Sequence, residues 1–484
     1  MIVSLFTSVR LKRRPGLALF FVTVSASLAH AAAPTKPNII VIVGDDMGYH
    51  DIGVHGATDV PTPNIDSLAK NGIRCTNGYV SGPYCSPTRA GLLTGRYQTR
   101  FGHEFNPGPP GTPANDSKGL DLKQVTLADR LKAAGYATGM VGKWHLGASP
   151  QLHPLKRGFD EYFGFLGGAF TYFPDKAVGR GDTVYRGTEP ANEKEYLTEA
   201  FAREAVSFVG RHEKEPFFLY LTFNAVHTPM EATDKYLERF ASITDKKRQT
   251  YCAMMSAMDD AVGAVLGKLR TAGIEENTLV FFISDNGGPQ ASNGSDNTPL
   301  HGDKATTWEG GVRVPFLVQW KSKLPQGKTY DRPVIQIDIL PTALAAAGSS
   351  VSPGDGLDGV DLLPFFSGQN EQAPHEALYW RFGPQMAIRQ GDWKLVRARE
   401  GANAGRRTDV PTLGLYNLAD DIGEKQNLAE QNPEKVKELQ AAWDAWDKGN
   451  IAATWIREEL PRKPGAGKRP GAAKKAAAAK GAAK

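Results

Sequence analysis

The sequence predicts an α/β protein: a large, mixed but mostly parallel sheet flanked by helices, followed by a smaller C-terminal domain of antiparallel sheet plus helix. Three observations lead there. Between residues 36 and 372, short apolar runs alternate with helical patterns, the signature of strands joined by crossover helices. Those runs are continuous rather than alternating, as strands buried on both faces require. After Ala373 the pattern changes to short alternating runs, which suit a small antiparallel sheet. A chain of 484 residues, 41% hydrophobic and 23% charged, has ample material for both cores.

The elements follow in order. Basic residues up to Arg14 precede an apolar run from Leu17 to Leu28, and Ala29-His30-Ala31 offers a small-x-small cleavage site. Residues 1–31 therefore read as a signal peptide, which predicts a secreted or periplasmic protein with no membrane span after cleavage. Asn38 to Val43 is the first buried strand. Thr126 caps a helix over Leu127 to Ala134 that Gly135 stops, and Tyr136 to Val141 is the next strand. Leu197 to Arg211 and Gln249 to Ala272 are amphipathic helices, while Phe217 to Phe223 and Leu279 to Ser284 are buried strands. The second domain, 373–461, comprises strands over Ala377 to Arg381, Met386 to Arg389, Trp393 to Arg397 and Leu415 to Asn417, closed by a helix from Pro433 to Trp446. Residues 462–484 are almost entirely Lys, Arg, Ala, Gly and Pro and predict a disordered basic tail.

The formal charge of +5 is carried by the ends. Setting aside Arg10, Lys12, Arg13 and Arg14 and the eight basic residues from Arg462 onward leaves the body at −7. An acidic body argues against nucleic acid as a partner. Three cysteines exclude a disulfide scaffold; Cys75 and Cys252 either pair or stay as buried thiols.

Polar residues collect just past the carboxyl ends of the predicted strands: Asp45-Asp46, Lys143-Trp144-His145, Asn224 to His227, and Asp285-Asn286-Gly287-Gly288. In open α/β sheets that edge is where ligands bind. Asp45, Asp46, Asp285 and Asn286 offer only oxygen donors, which suits a hard cation, Ca²⁺ or Mg²⁺, better than zinc. Cys85-Ser86-Pro87-Thr88-Arg89 is the sharpest feature. Pro87 suits the first position of a helix running to Thr94, which sets Cys85 at a helix N-terminus with Arg89 one turn on. A soft thiolate is a poor partner for an oxygen-donor metal site, so the sulfur itself is not what meets the cation.

Together these residues resemble the formylglycine-dependent type I sulfatases of the alkaline-phosphatase-like superfamily. The resemblance runs from Pro37 to about Trp446. It is carried by Asp45-Asp46, the C-x-P-x-R motif at Cys85 with its Thr94-Gly95-Arg96 ending, Gly142-Lys143-Trp144-His145, His227-Thr228-Pro229, Asp285-Asn286-Gly287 and Lys304. Thr88 stands where the family most often has serine, and keeps the hydroxyl. The resemblance implies that a formylglycine-generating maturation enzyme oxidises Cys85 to an aldehyde, whose hydrate is the nucleophile. It implies that Asp45, Asp46, Asp285, Asn286 and an oxygen of modified Cys85 hold Ca²⁺, with Mg²⁺ second. Lys143, Lys304 and Arg89 then neutralise the sulfate, Asp285 accepts the nucleophile's proton, His227 protonates the leaving alcohol and His145 releases the sulfate.

That reading expects a sulfuric ester hydrolase acting on a sulfated carbohydrate or an aryl sulfate. Two others stand beside it: a phosphate or phosphonate ester hydrolase with the same nucleophile, and a non-catalytic binder of sulfated polysaccharide. The glycine-rich stretch Gly164 to Gly168 with Phe170, Tyr172 and Phe173 reads as a substrate-facing loop. Trp308 and Phe170 either stack on substrate or pack in the core. His103, His153 and His301 lie near motifs and are pocket candidates, whereas His50 and His55 read as loop residues.

Overall fold

The computed structural model describes residues 36–176, 183–350, 352–399 and 412–456. The expected signal peptide (1–31) and basic tail (462–484) lie outside them. In chain order the strands are β1 (Asn38–Gly44), β2 (Ile73–Cys75), β3 (Gly78–Tyr79), β4 (Ala137–Lys143), β5 (Glu161–Phe165), β6 (Tyr185–Arg186), β7 (Glu189–Pro190), β8 (Phe217–Thr222), β9 (Thr278–Ser284), β10 (Phe316–Gln319), β11 (Lys328–Tyr330) and β12 (Val334–Ile335). Ten form one sheet in the order β11-β2-β10-β9-β1-β8-β4-β5-β6-β7. Its centre, β9-β1-β8-β4-β5, is parallel throughout. The antiparallel pairs β9–β10, β10–β2, β5–β6 and β6–β7 make the sheet mixed.

Every residue of β1 is buried, and its side chains alternate between two cores. Ile40 and Ile42 face one, under α1 (Pro63–Lys70), α4 (Leu197–Arg211) and α5 (Lys246–Thr271). Ile39, Val41 and Val43 face the other, under α2 (Cys85–Thr94), α3 (Leu127–Ala133) and α6 (Ile339–Ala346). Burying each such side chain contributes about 1.5–3 kcal/mol, so the sheet has no exposed face to spare. Cys75 lies in the second core and Cys252 in the first, so the sheet separates them, and all three cysteines are free thiols.

Two helix starts differ from the sequence reading. α5 begins at Lys246 rather than Gln249, because Asp245 caps it by accepting from the amides of Lys247 (2.8 Å) and Arg248 (3.2 Å). α2 begins at Cys85 with Tyr84 as N-cap, which puts Pro87 in its third position. Proline is harmless there, since the first four N–H groups of a helix have no partner inside it.

The C-terminal strands β13 (Ala377–Phe382), β14 (Gln385–Gln390), β15 (Trp393–Ala398) and β16 (Thr412–Asn417) form an antiparallel meander. One face carries Met386, Ile388, Leu395 and Leu415 under Leu439 of α7 (Pro433–Asp447). The other carries Trp380, Ala387 and Val396 against Tyr79, Trp308 and Ile337 of the main body. The alternation seen in sequence is this two-sided packing.

Candidate active site

β1, β8, β9 and β4 end side by side, and the loops leaving them meet the start of α2. Thr222 and Gly142 set the turn after β4. The Thr222 hydroxyl donates to Lys143 O at 2.7 Å, and a Cβ on Gly142, whose φ is +115°, would overlap Thr222 O. Asp46 and His145 both adopt left-handed backbone (φ 64° and 60°), a costly conformation kept where it aims a side chain.

The structure brings together the residues expected to bind the metal and to carry the chemistry. The Cys85 thiol points at Asp45 Oδ1, 3.7 Å away. Lys143 Nζ pairs with Asp45 Oδ2, and Arg89 Nη2 lies 3.5 Å from the same oxygen. Arg89 also donates to Asp285 Oδ2 through Nε (3.0 Å) and Nη2 (2.8 Å). Lys304 Nζ lies 2.6 Å from Asp46 Oδ1 and 2.8 Å from Oδ2. His227 Nε2 is 3.6 Å from Asp46 Oδ2, and its Nδ1 donates to Thr228 O at 2.6 Å, which leaves Nε2 facing the site. Asn286 Nδ2 donates to Asp46 Oδ1 (2.7 Å) and to Gly287 O (2.9 Å), while its buried Oδ1 has no partner.

The charges are coupled. Burial opposes ionisation of Asp46, but Lys304, His227 and Lys143 outweigh it and hold the carboxyl at about 2. Asp285 is raised by burial and by the neighbouring Asp45 charge, against Arg89. Burial lowers His227 to about 3 despite Asp46, and drives His145 well below its ordinary value with help from Lys143 and Arg89. Burial lifts the Cys85 thiol to about 12 against Lys143 and Lys304. A thiol that holds its proton so firmly is a poor nucleophile at neutral pH.

Ligand atoms of Asp45, Asp46, Cys85 and His227 all lie within 4.8 Å of one another. Three adjacent carboxylates and an orphaned, buried amide oxygen on Asn286 fit a hard divalent cation. That fit rests on oxygens; the sulfur contributes nothing to it.

Other residues support the site that the sequence reading passed over. Ser86 Oγ donates to His145 O (2.6 Å) and so accepts from His103 Nε2 (2.6 Å), while Asn106 Oδ1 accepts from Ser86 N (3.0 Å). Ser86 lies inside the Cys85 motif, a signal that was available; Asn106 carried none. Gly168 packs against the His145 ring edge, where a Cβ would overlap Nε2. Of the pocket candidates, His103 thus braces His145. His301 stacks on Trp308 (4.4 Å, 22°), and His153 Nδ1 accepts from Leu155 N at 3.3 Å. His55 is a loop anchor, bonded to Tyr49 O.

The substrate-facing reading does not hold for Gly164, Phe170 and Tyr172. Gly164 lies inside β5, Phe170 is buried against Phe165, and Tyr172 is buried against Tyr196. Trp308 is 1% exposed within the core. These aromatic residues were drawn inside because their rings bury more apolar surface than the neighbouring loop could cover.

Residues 37–349 match the family model described as Sulfatase, and residues 301–444 match one described as N-sulphoglucosamine sulphohydrolase, C-terminal. An N-acetylgalactosamine-6-sulfatase of Canis lupus familiaris is 36% identical over 403 residues, covering 78% of this chain and 75% of that protein. Arylsulfatase J of Mus musculus is 30% identical over 503 residues, covering 90% and 83%. Among solved structures, Ps i-CgsB in complex with k-i-k-neocarrahexaose aligns with a TM-score of 0.81 at 37% identity, covering 88% of this chain and 95% of that one.

Proposed function

This chain belongs to the sulfatase family and is a sulfuric ester hydrolase, and we propose that it cleaves sulfate from a carbohydrate with a nucleophile made from Cys85 by oxidation to formylglycine, beside a bound Ca²⁺. The observation that carries this reading is the state of Cys85: a buried thiol, held protonated, at the centre of three carboxylates and three cations. Left as a thiol it has no work to do there. The hydrate of formylglycine supplies an attacking oxygen, and the cation, held by Asp45, Asp46, Asp285 and Asn286, supplies positive charge for the sulfate. Ca²⁺ suits a site of several carboxylates on loops better than Mg²⁺, which demands near-ideal octahedral geometry and keeps its waters.

The chain's own residues would then divide the labour. Lys143, Lys304 and Arg89 bring three positive charges to a substrate whose negative charge repels any nucleophile. Asp285, raised and within reach of Arg89, accepts the nucleophile's proton. His227, with Nδ1 committed to Thr228 O, presents Nε2 to the leaving oxygen, and acts as the proton donor once Nε2 has taken up a second proton, which the Asp46 carboxylate 3.6 Å away favours. His145, buried and neutral, accepts the proton whose removal frees the sulfate. Relatives whose names carry sugars favour a carbohydrate over a simple aryl sulfate as the natural substrate. No helix among the described residues is long and apolar enough to cross a membrane, and the signal-like sequence of residues 1–31 supports a periplasmic or secreted enzyme.

Protein produced with its maturation enzyme should hydrolyse an aryl sulfate far faster than the matching aryl phosphate, and lose that activity on chelation until Ca²⁺ is restored. Mass spectrometry of the peptide holding Cys85 should find the aldehyde. Full activity with an unmodified thiol would sink the reading.

A further inference from the structure

We propose that Asn224 is a further substrate-contacting residue, its side-chain amide donating a hydrogen bond to an oxygen of the bound sulfate; this rests on the sulfate-ester reading above. Asn224 is 2% exposed, and neither Oδ1 nor Nδ2 has a partner among the described residues. Leaving a buried polar group unbonded costs about 1–3 kcal/mol, so a fold keeps one where something else will bind it. Other orphans beside this site have a use on the reading above: Asn286 Oδ1 would help to hold the cation, His145 Nδ1 belongs to the base, and His103 Nδ1 lies on the ring that braces it. Asn224 has none.

Its backbone accounts for the turn on its own. The Asn224 carbonyl accepts from the Tyr172 hydroxyl (2.5 Å) and from His227 N (2.8 Å), so the side chain is not needed as a cap. The sheet register indicates where that side chain goes. Val43 lies beside Thr222 on one side and Ile283 on the other. Val43 and Ile283 face the core under α2, as do Phe218 and Tyr220 of β8. Two residues beyond Val43, Ile283 and Thr222 come Asp45, Asp285 and Asn224. Pleat alternation therefore sets Asn224 in one row with two carboxylates of the site, on the face that carries Cys85. It stands between the strand that delivers Asp45 and the strand that delivers Lys143 and His145.

The chemistry of that place selects the ligand. Sulfate oxygens only accept hydrogen bonds, and Lys143, the cation paired with Asp45, comes from the strand next to the one that ends at Asn224. A neutral amide adds a donor there without adding charge that would tighten the lysine–carboxylate pairs.

The matured wild-type enzyme is tested first with an aryl sulfate; if it is inert, the sulfatase reading fails and not this one. If it is active, Asn224→Ala should lower kcat/KM about 10- to 100-fold, as loss of one hydrogen bond to a charged partner predicts. Competitive inhibition by inorganic sulfate should weaken by a similar factor, while the calcium concentration that raises the thermal midpoint stays unchanged. Asn224→Ser, which keeps a donor, should recover part of the loss, and Asn224→Asp should fall below the alanine variant because its charge repels sulfate. If the alanine variant does not fold, serine above aspartate in both readouts still carries the proposal, and aspartate equal to serine overturns it. An alanine variant within twofold of wild type in kcat/KM and sulfate inhibition would also overturn it, as would a shifted calcium titration with sulfate inhibition intact.

Discussion

Two clusters of buried charge lie within this fold, and they are built differently. In the active site Lys143, Lys304 and Arg89 face Asp45, Asp46 and Asp285, and polar atoms of Asn224, Asn286 and His145 are left without partners. Where the C-terminal sheet meets the main body, Lys394 of β15 reaches Glu309 Oε1 (2.8 Å) and Glu424 Oε1 (2.9 Å). Glu309 Oε2 takes the Tyr79 hydroxyl (2.7 Å) and Arg313 Nη1 (3.2 Å), Arg389 pairs with Tyr79, and Glu309 N donates to Glu424 Oε2 (2.8 Å). In the second cluster every charge faces an opposite charge, and only Glu424 Oε1 lacks a hydrogen bond among the described residues; the first is open toward a ligand. Their separation in sequence is small at one point, because Lys304 and Glu309 share a loop. Gln385 Nε2 donates to Ala305 O (2.9 Å) and Trp308 Nε1 to Arg399 O (3.0 Å), so the C-terminal sheet holds the loop that presents Lys304. A closed cluster fixes geometry, and an open one spends that geometry on chemistry.

The sharpest way to test the contrast is to empty the open cluster at its centre. Cys85→Ser, with one hydroxyl and no aldehyde, should lose turnover by on the order of 10⁴-fold or more and retain sulfate covalently, seen as a mass increment after incubation with an aryl sulfate. Its thermal midpoint should match wild type. Paired lysine variants come next. Lys143→Ala should lower kcat by roughly 10²–10³-fold in the presence of Ca²⁺, with little change in denaturant midpoint, because a bound cation still compensates Asp45. Lys394→Met should do the reverse, costing about 3–5 kcal/mol in denaturant unfolding because it removes the buried cation that Glu309 and Glu424 share. Equal stability losses in the two variants would erase the distinction.

The same contrast explains what was legible beforehand. Four of the five central parallel strands were readable because each is a continuous apolar run, and the catalytic loops because they follow those runs directly. β5 was missed, its Gly164 being read as the start of a glycine-rich loop. β2, β3, β6, β7, β10, β11 and β12 were missed as well: two to four residues are too few to display a period, and their pairing is settled by neighbours distant in sequence. Lys394 and Gln385 looked like ordinary members of an alternating strand, since nothing local marks a lysine that will meet two glutamates from other loops. Asn224 was placed on the ligand-binding edge but given no role of its own, because asparagine after a strand is also a common turn residue. The charges that perform chemistry sat in motifs; those that hold the frame did not.

The smallest expected effect concerns the closed cluster alone. Burial and the adjacent Glu309 charge raise Glu424 from the ordinary 4.5 to about 7, with Lys394 opposing. Glu309 is held at about 2: burial is overcome by Lys394, Arg313 and Arg389. Between about pH 4.5 and 7 the folded protein therefore keeps a proton on Glu424 that the unfolded chain releases. That contribution is complete below the lower value and is lost as pH rises through the upper one. Glu309 works in the opposite sense, its contribution being lost only as pH falls toward 2, outside this range. Between pH 5 and 8, then, wild type should lose on the order of 2–3 kcal/mol relative to Glu424→Gln, whose amide imitates the protonated acid at every pH. Denaturant unfolding of the two proteins at several pH values measures the difference, and parallel curves would mean that Glu424 does not titrate in the fold.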